Sequence, residues 1–120
     1  MILHYFKNKK NKDKKISSVI YLDIINSTDF VCKNFFLNKN KDFNLIFEIS
    51  SILLISVFIG LNKNNKLKFN SIKQDLIEFF IRDIDHSLRL EGISDLKIGR
   101  IVKLYVKKFY YRISKFEKIY

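Results

Sequence analysis

Proline is absent from the 120-residue chain, and glycine occurs only three times. Turn-rich all-β folds draw on both residues for their hairpins, so this scarcity argues against them and makes helices the default. A single cysteine, Cys32, excludes an internal disulfide and suits a reducing compartment. Set among hydrophobic neighbours, it reads as a buried thiol rather than a nucleophile. The sequence also has no glycine-rich phosphate loop, no GxSxG, no HExxH and no GxGxxG. A non-enzymatic protein that needs no cofactor and no metal is therefore expected.

Acidic residues are few. Lys and Arg number 23 against 12 Asp and Glu, for a formal net charge of +11. Such an excess favours anionic partners: phospholipid head groups, RNA or acidic proteins. Only four of the 23 are arginines, the residue suited to bidentate phosphate and base contacts, so specific nucleic-acid recognition is not expected.

The start of the chain, MILHYF followed by KNKKNKDKK, reverses the order of a secretory signal. Residues 1–16 read as a flexible basic arm able to rest on an anionic membrane. The most apolar stretch is Phe43 to Leu61, FNLIFEISSILLISVFIGL. Its uncharged part, Ile49 to Leu61, falls short of the roughly 20 residues a bilayer requires. It is read as a buried core helix, with a membrane-inserted helix as the alternative.

Residues 17–120 divide into four helical segments. The first runs from about Ser17, capped by Ser17 or Ser18, to Phe36, with Val19, Tyr21, Leu22, Ile25, Thr28 and Asp29 at loosely helical spacing. The second is the apolar stretch, with Asp42 or Asn44 as its cap. The third opens on a capping-box pattern, Ser71 with Gln74, and stops at Gly92. Its Ile72, Leu76, Phe79, Phe80, Ile84 and Leu88 share a face opposite Glu78, Arg82, Asp85 and Arg89. The fourth starts between Leu96 and Arg100 and carries the apolar stripe Ile101, Leu104, Tyr105, Phe109, Ile113, Phe116 and Tyr120. Lys103, Lys107, Lys108 and Lys115 form its basic outer surface. The expected fold is one all-α domain behind the basic arm.

The stretch DIDHSLRLEGISDL, residues 83–96, concentrates polar residues. On a helix Asp83 and Asp85 point to different faces, and Asp83 with His86 supplies at most two ligands, too few for zinc. His4 and His86 have no triad partners. Asp83 falls on the apolar face, where a carboxylate needs a partner; Arg100 or Arg112 on the following helix is the expected one. Asp85 and Arg89 form an ordinary i,i+4 pair, and Asp95 is placed to cap the fourth helix.

This stretch, together with YVKKFYYR at 105–112, resembles the ubiquinol–cytochrome c chaperone family, the complex III assembly chaperones of mitochondria and their alphaproteobacterial relatives. The positions that carry the resemblance are Asp83, Asp85, Leu88, Arg89, Gly92, Ile93, Asp95, Leu96, Phe109, Tyr110 and Arg112. Leu90 stands where the family often has glutamate, Ser94 and Tyr111 where it has glycine, and the Val-Pro-Asp turn usual after the first helix is missing. The chain thus looks like a shortened, divergent member. The resemblance implies an all-helical, non-enzymatic chaperone that binds newly made cytochrome b and promotes assembly of complex III. It also implies a small partner chaperone, proximity to the ribosome, and peripheral contact with an anionic inner membrane from the cytoplasmic or mitochondrial matrix side. Two other readings of the residues stand beside it: a small basic RNA- or ribosome-associated helical protein, and a membrane protein anchored by residues 43–61.

Overall fold

The computed structural model describes residues 2–36, 42–65 and 69–119. Among these residues four helices follow one another: α1 Ile2–Phe35, α2 Phe43–Asn65, α3 Asn70–Leu90 and α4 Asp95–Ile119. Among the described residues there is no strand, as expected from the absent proline and scarce glycine.

Packing follows from which apolar faces find each other. α2 contributes Phe43, Phe47, Leu54, Ile55 and Phe58 to the core, α3 contributes Ile72, Leu76, Ile77, Phe80, Ile84 and Leu88, and α4 contributes Ile98 and Phe109. Their rings converge. Phe47 stacks on Phe80 with centroids 5.8 Å apart, Phe80 meets Phe109 edge-on at 4.9 Å, and Tyr105 closes on Phe47 at 4.9 Å. Offset and edge-to-face pairs of this kind add to the apolar burial that drives the fold. α2 is long and apolar enough to cross a membrane by length and composition, yet in the bundle it supplies a large part of the core.

α1 packs on α2 and α3, and α4 packs on the same two helices; among the described residues α1 and α4 do not meet. The buried line of α1 is Ser17, Ile24, Thr28 and Cys32, flanked by Ile20 and Tyr21. This corrects the face expected from sequence, since Val19, Leu22 and Asp29 are exposed. α1 has apolar residues on two sides, and only one side can meet the bundle. Burial, with Asp29 nearby, raises the Cys32 thiol above its usual range, so it stays protonated, as a buried structural thiol should.

Several helix ends depart from the expected ones. α1 begins at Ile2, not Ser17, because lysine is a good helix former and no glycine or proline interrupts the run. Ser17 caps nothing: it is buried mid-helix and donates to Asp75 Oδ2 at 2.9 Å, while Ser18 donates to the Lys14 carbonyl at 2.8 Å. α3 starts at Asn70, with Phe69 in the cap position and no side-chain cap bond, so Ser71 lies inside the helix. Asp42 does cap α2, accepting from the Asn44 amide at 3.1 Å.

The stop after α3 matches its sequence pattern. Gly92 has φ of +96°, a conformation most side chains resist. The Ile93 amide donates to the Leu88 carbonyl at 3.2 Å and the Gly92 amide to the Arg89 carbonyl at 3.0 Å, the paired bonds of a Schellman motif. On α4 one residue of the expected apolar stripe, Leu104, is 57% exposed. It lies at the edge of the helix, beyond the reach of α2 and α3. Tyr120, the last residue of that stripe, falls outside the described residues.

Phe109 is 1% exposed, and Phe109→Ala should cost about 4 kcal/mol of unfolding free energy in a urea titration. Gly92→Ala adds a Cβ that meets nothing within 4 Å. Only its backbone conformation is penalised, and the expected loss is about 1 kcal/mol.

Candidate functional site

The polar cluster read from the sequence lies mostly at the α3–α4 hairpin. Arg89, in the last turn of α3, donates through Nε to Asp85 Oδ1 at 3.1 Å and through Nη1 to Asp95 Oδ1. Asp95 is the first residue of α4. It does not serve as the cap: the Ser94 carbonyl accepts the first helical bonds, from Lys97 at 3.0 Å and Ile98 at 2.9 Å. Arg89 therefore ties the two helices together across the turn. Both carboxylates raise its pKa, Asp95 first and Asp85 second. Leu88 is buried beneath the turn, whereas Leu90 is 75% and Leu96 97% exposed. His86 is exposed, and among the described residues no group of His, Cys, Asp and Glu could hold a metal ion.

Asp83 and Arg112 part company. Asp83 is exposed at the α1–α3 seam and accepts a hydrogen bond from the Tyr21 hydroxyl. It faces α1 rather than α4, which corrects the expected pairing with Arg100 or Arg112. Arg112 is bound instead to Glu48 of α2: Nη2 donates to Oε1 at 2.8 Å, and Nη1 lies 2.7 Å from Oε2 as an ion pair. Its guanidinium also sits 5.5 Å from the Phe47 ring, so it covers the aromatic junction. Asp83 sits on the edge of its helix face, and a helical wheel cannot say which neighbour covers that edge.

Of the remaining signature residues, Phe109 is in the core and Tyr110 is half-exposed at the outer surface. Tyr111, in place of the family's glycine, points outward and leaves the Arg112–Glu48 contact undisturbed.

Two features go beyond the sequence expectations. The first is an open groove between α1 and α3, about 450 Å³ in volume, lined by Ser18, Tyr21, Leu22, Ile25, Phe79, Arg82 and Asp83. Its walls are mainly apolar with the Tyr21–Asp83 pair at one end, and exposed Val19, Leu22 and Phe30 extend the apolar surface along α1. The cue in the sequence is a second apolar line on α1, Val19, Leu22 and Ile25, at spacings of three. The second feature is Glu48, whose cue is a lone charge inside an apolar run.

The class defined by this fold is a four-helix, all-α domain with a braced hairpin and an apolar groove beside it. A family model described as ubiquinol-cytochrome C chaperone matches residues 37–119, which takes in α2, α3, the hairpin and α4. The chain belongs to this family. Membership brings a coarse role with it, a chaperone in the assembly of complex III. No curated protein and no solved structure matches the chain.

The Tyr21–Asp83 contact has a pH signature. Burial first, and the Asp83 carboxylate second, hold the Tyr21 phenol well above its usual range. The folded chain keeps this proton where the unfolded chain loses it. Stability is thus fully present below about pH 10, the ordinary phenol value, and falls as pH rises beyond it. Urea titrations at a series of alkaline pH values should show that decline. Tyr21→Phe should flatten it more than Asp83→Asn does, because burial is the larger cause.

Proposed function

We propose that the chain binds newly made cytochrome b and promotes its entry into complex III, without chemistry of its own. The observation that carries this reading is the family match across the hairpin and both of its helices. The α1–α3 groove supports it: an open, mostly apolar channel with polar groups at one end suits a segment of an unassembled membrane protein. The protein works as a peripheral component at the inner membrane, on the cytoplasmic side or, in an organelle, the matrix side. A small partner chaperone and the ribosome are its expected company there.

The hairpin offers such a client a charged contact. Arg89 is about half-exposed and holds two carboxylates in place, so it can exchange an internal partner for a client carboxylate at little cost. Surface ion pairs of this kind add little to stability. Deleting the gene should abolish assembled complex III and lower cytochrome b, as read on native gels. Rescue with Arg89→Glu should fail although that variant melts close to the parent. Normal complex III in the deletion strain would refute the reading.

A further inference from the structure

α4 keeps one face for the core and gives the other to solvent. From Leu96 to Phe116 it carries no acidic residue. Lys97, Arg100, Lys103, Lys107, Lys108 and Lys115 on that stretch are exposed, and none has an acidic partner among the described residues. Two lie over tyrosine rings instead, Lys108 at 5.4 Å from Tyr105 and Lys115 at 5.4 Å from Tyr111.

Apolar groups stand among these cations. Leu96 and Leu104 are exposed, and Tyr111 is 64% exposed. At the helical advance per residue, Leu96, Arg100, Lys103, Lys107, Tyr111 and Leu104 fall within about 100° of arc on the outer side. An open groove of about 650 Å³, lined by Ile101, Leu104, Tyr105, Lys107, Lys108 and Tyr111, lies in this face.

Cations crowded together with no carboxylate paired to them repel one another, and an anionic surface relieves that repulsion. Lysine stems can lie along an apolar surface while their ammonium groups reach polar head groups. Tyrosine rings settle at head-group depth, and leucines reach the acyl boundary. Only one of the six cations is arginine, so the face attracts diffusely rather than reading a fixed phosphate geometry.

We propose that the outer face of α4 is a docking surface for an anionic phospholipid bilayer. This rests on the membrane-peripheral location proposed above and names the surface responsible. α1 makes no contact with α4 among the described residues, so a bilayer against α4 leaves the α1–α3 groove uncovered for a client.

Flotation of the full chain with vesicles tests this directly. Binding is expected to phosphatidylcholine vesicles containing phosphatidylglycerol, weakening as salt rises, and not to pure phosphatidylcholine. Lys103→Gln/Lys107→Gln/Lys108→Gln should lower the partition coefficient about 100-fold, at roughly fivefold per lysine near an anionic surface. Leu104→Ser/Tyr111→Ser should lower it about tenfold, with both variants melting like the parent. A parent chain that does not float, or either α4 variant floating like the parent, overturns the proposal. So does tighter binding of the parent to a structured RNA than to anionic vesicles at the same salt, which assigns the face to nucleic acid. Loss of flotation only on changing the lysines of residues 9–15 to glutamine overturns it too, in favour of the basic start of the chain. The assay contains no cytochrome b, so its failure leaves the client reading to the deletion and rescue experiment.

Discussion

Phe47, Phe80 and Phe109 meet where α2, α3 and α4 converge, and the rest of the bundle is arranged around that junction. The chain has one cysteine, and that one is free, so side-chain packing has to carry the fold. In a chain of this size the apolar area available for burial is modest, which raises the weight of each buried ring. Arg112 and Glu48 close the junction at its rim: the guanidinium covers Phe47 while its charge is met by the neighbouring carboxylate. α1 packs on α2 and α3 outside that junction. It is held by Ile24, Thr28 and Cys32 on its buried line, by Ile20 and Tyr21 beside them, and by two polar contacts to α3, Ser17 to Asp75 and Tyr21 to Asp83. Beside this line, Leu22 and Ile25 of α1 stand apart from Phe79 of α3 and leave a groove between the two helices.

α3 is the most legible part of the sequence, because its apolar residues fall on one face and Gly92 marks its end. The Asp85–Arg89 pair is equally readable, since both partners lie on one helix a turn apart. Contacts between helices are not. Glu48 and Arg112 are 64 residues apart in sequence, and nothing local says that a charge in an apolar run will meet that arginine. The partner of Asp83 is misread for the same reason. The start of α1 is hidden because the lysine run has helical propensity without an apolar pattern, and its buried face is ambiguous because apolar residues occupy two sides.

The residues that mark the family are therefore mainly those that build the hairpin. Leu88 and Gly92 shape the turn, Arg89 braces it through Asp85 and Asp95, and Phe109 and Arg112 lock α4 onto α2 and α3. Departures from the family pattern fall where they do little harm. Ser94 supplies the carbonyl that starts α4, and Tyr111 stands on the solvent side. The frame exposes two further surfaces, an apolar groove on the α1 side and a basic, leucine- and tyrosine-studded face on α4, and these are the ones proposed to bind. α4 supplies no residue to the groove, so the two surfaces proposed to meet a client and a bilayer are separate.

The most direct measurement is site-specific photocrosslinking in cells, with a photoreactive residue replacing Leu22 in the groove or Leu104 on α4. If the two surfaces divide the work in this way, the Leu22 position captures cytochrome b, identified by mass spectrometry, and the Leu104 position captures phospholipid. Cytochrome b captured at the Leu104 position and not at Leu22 would contradict that division.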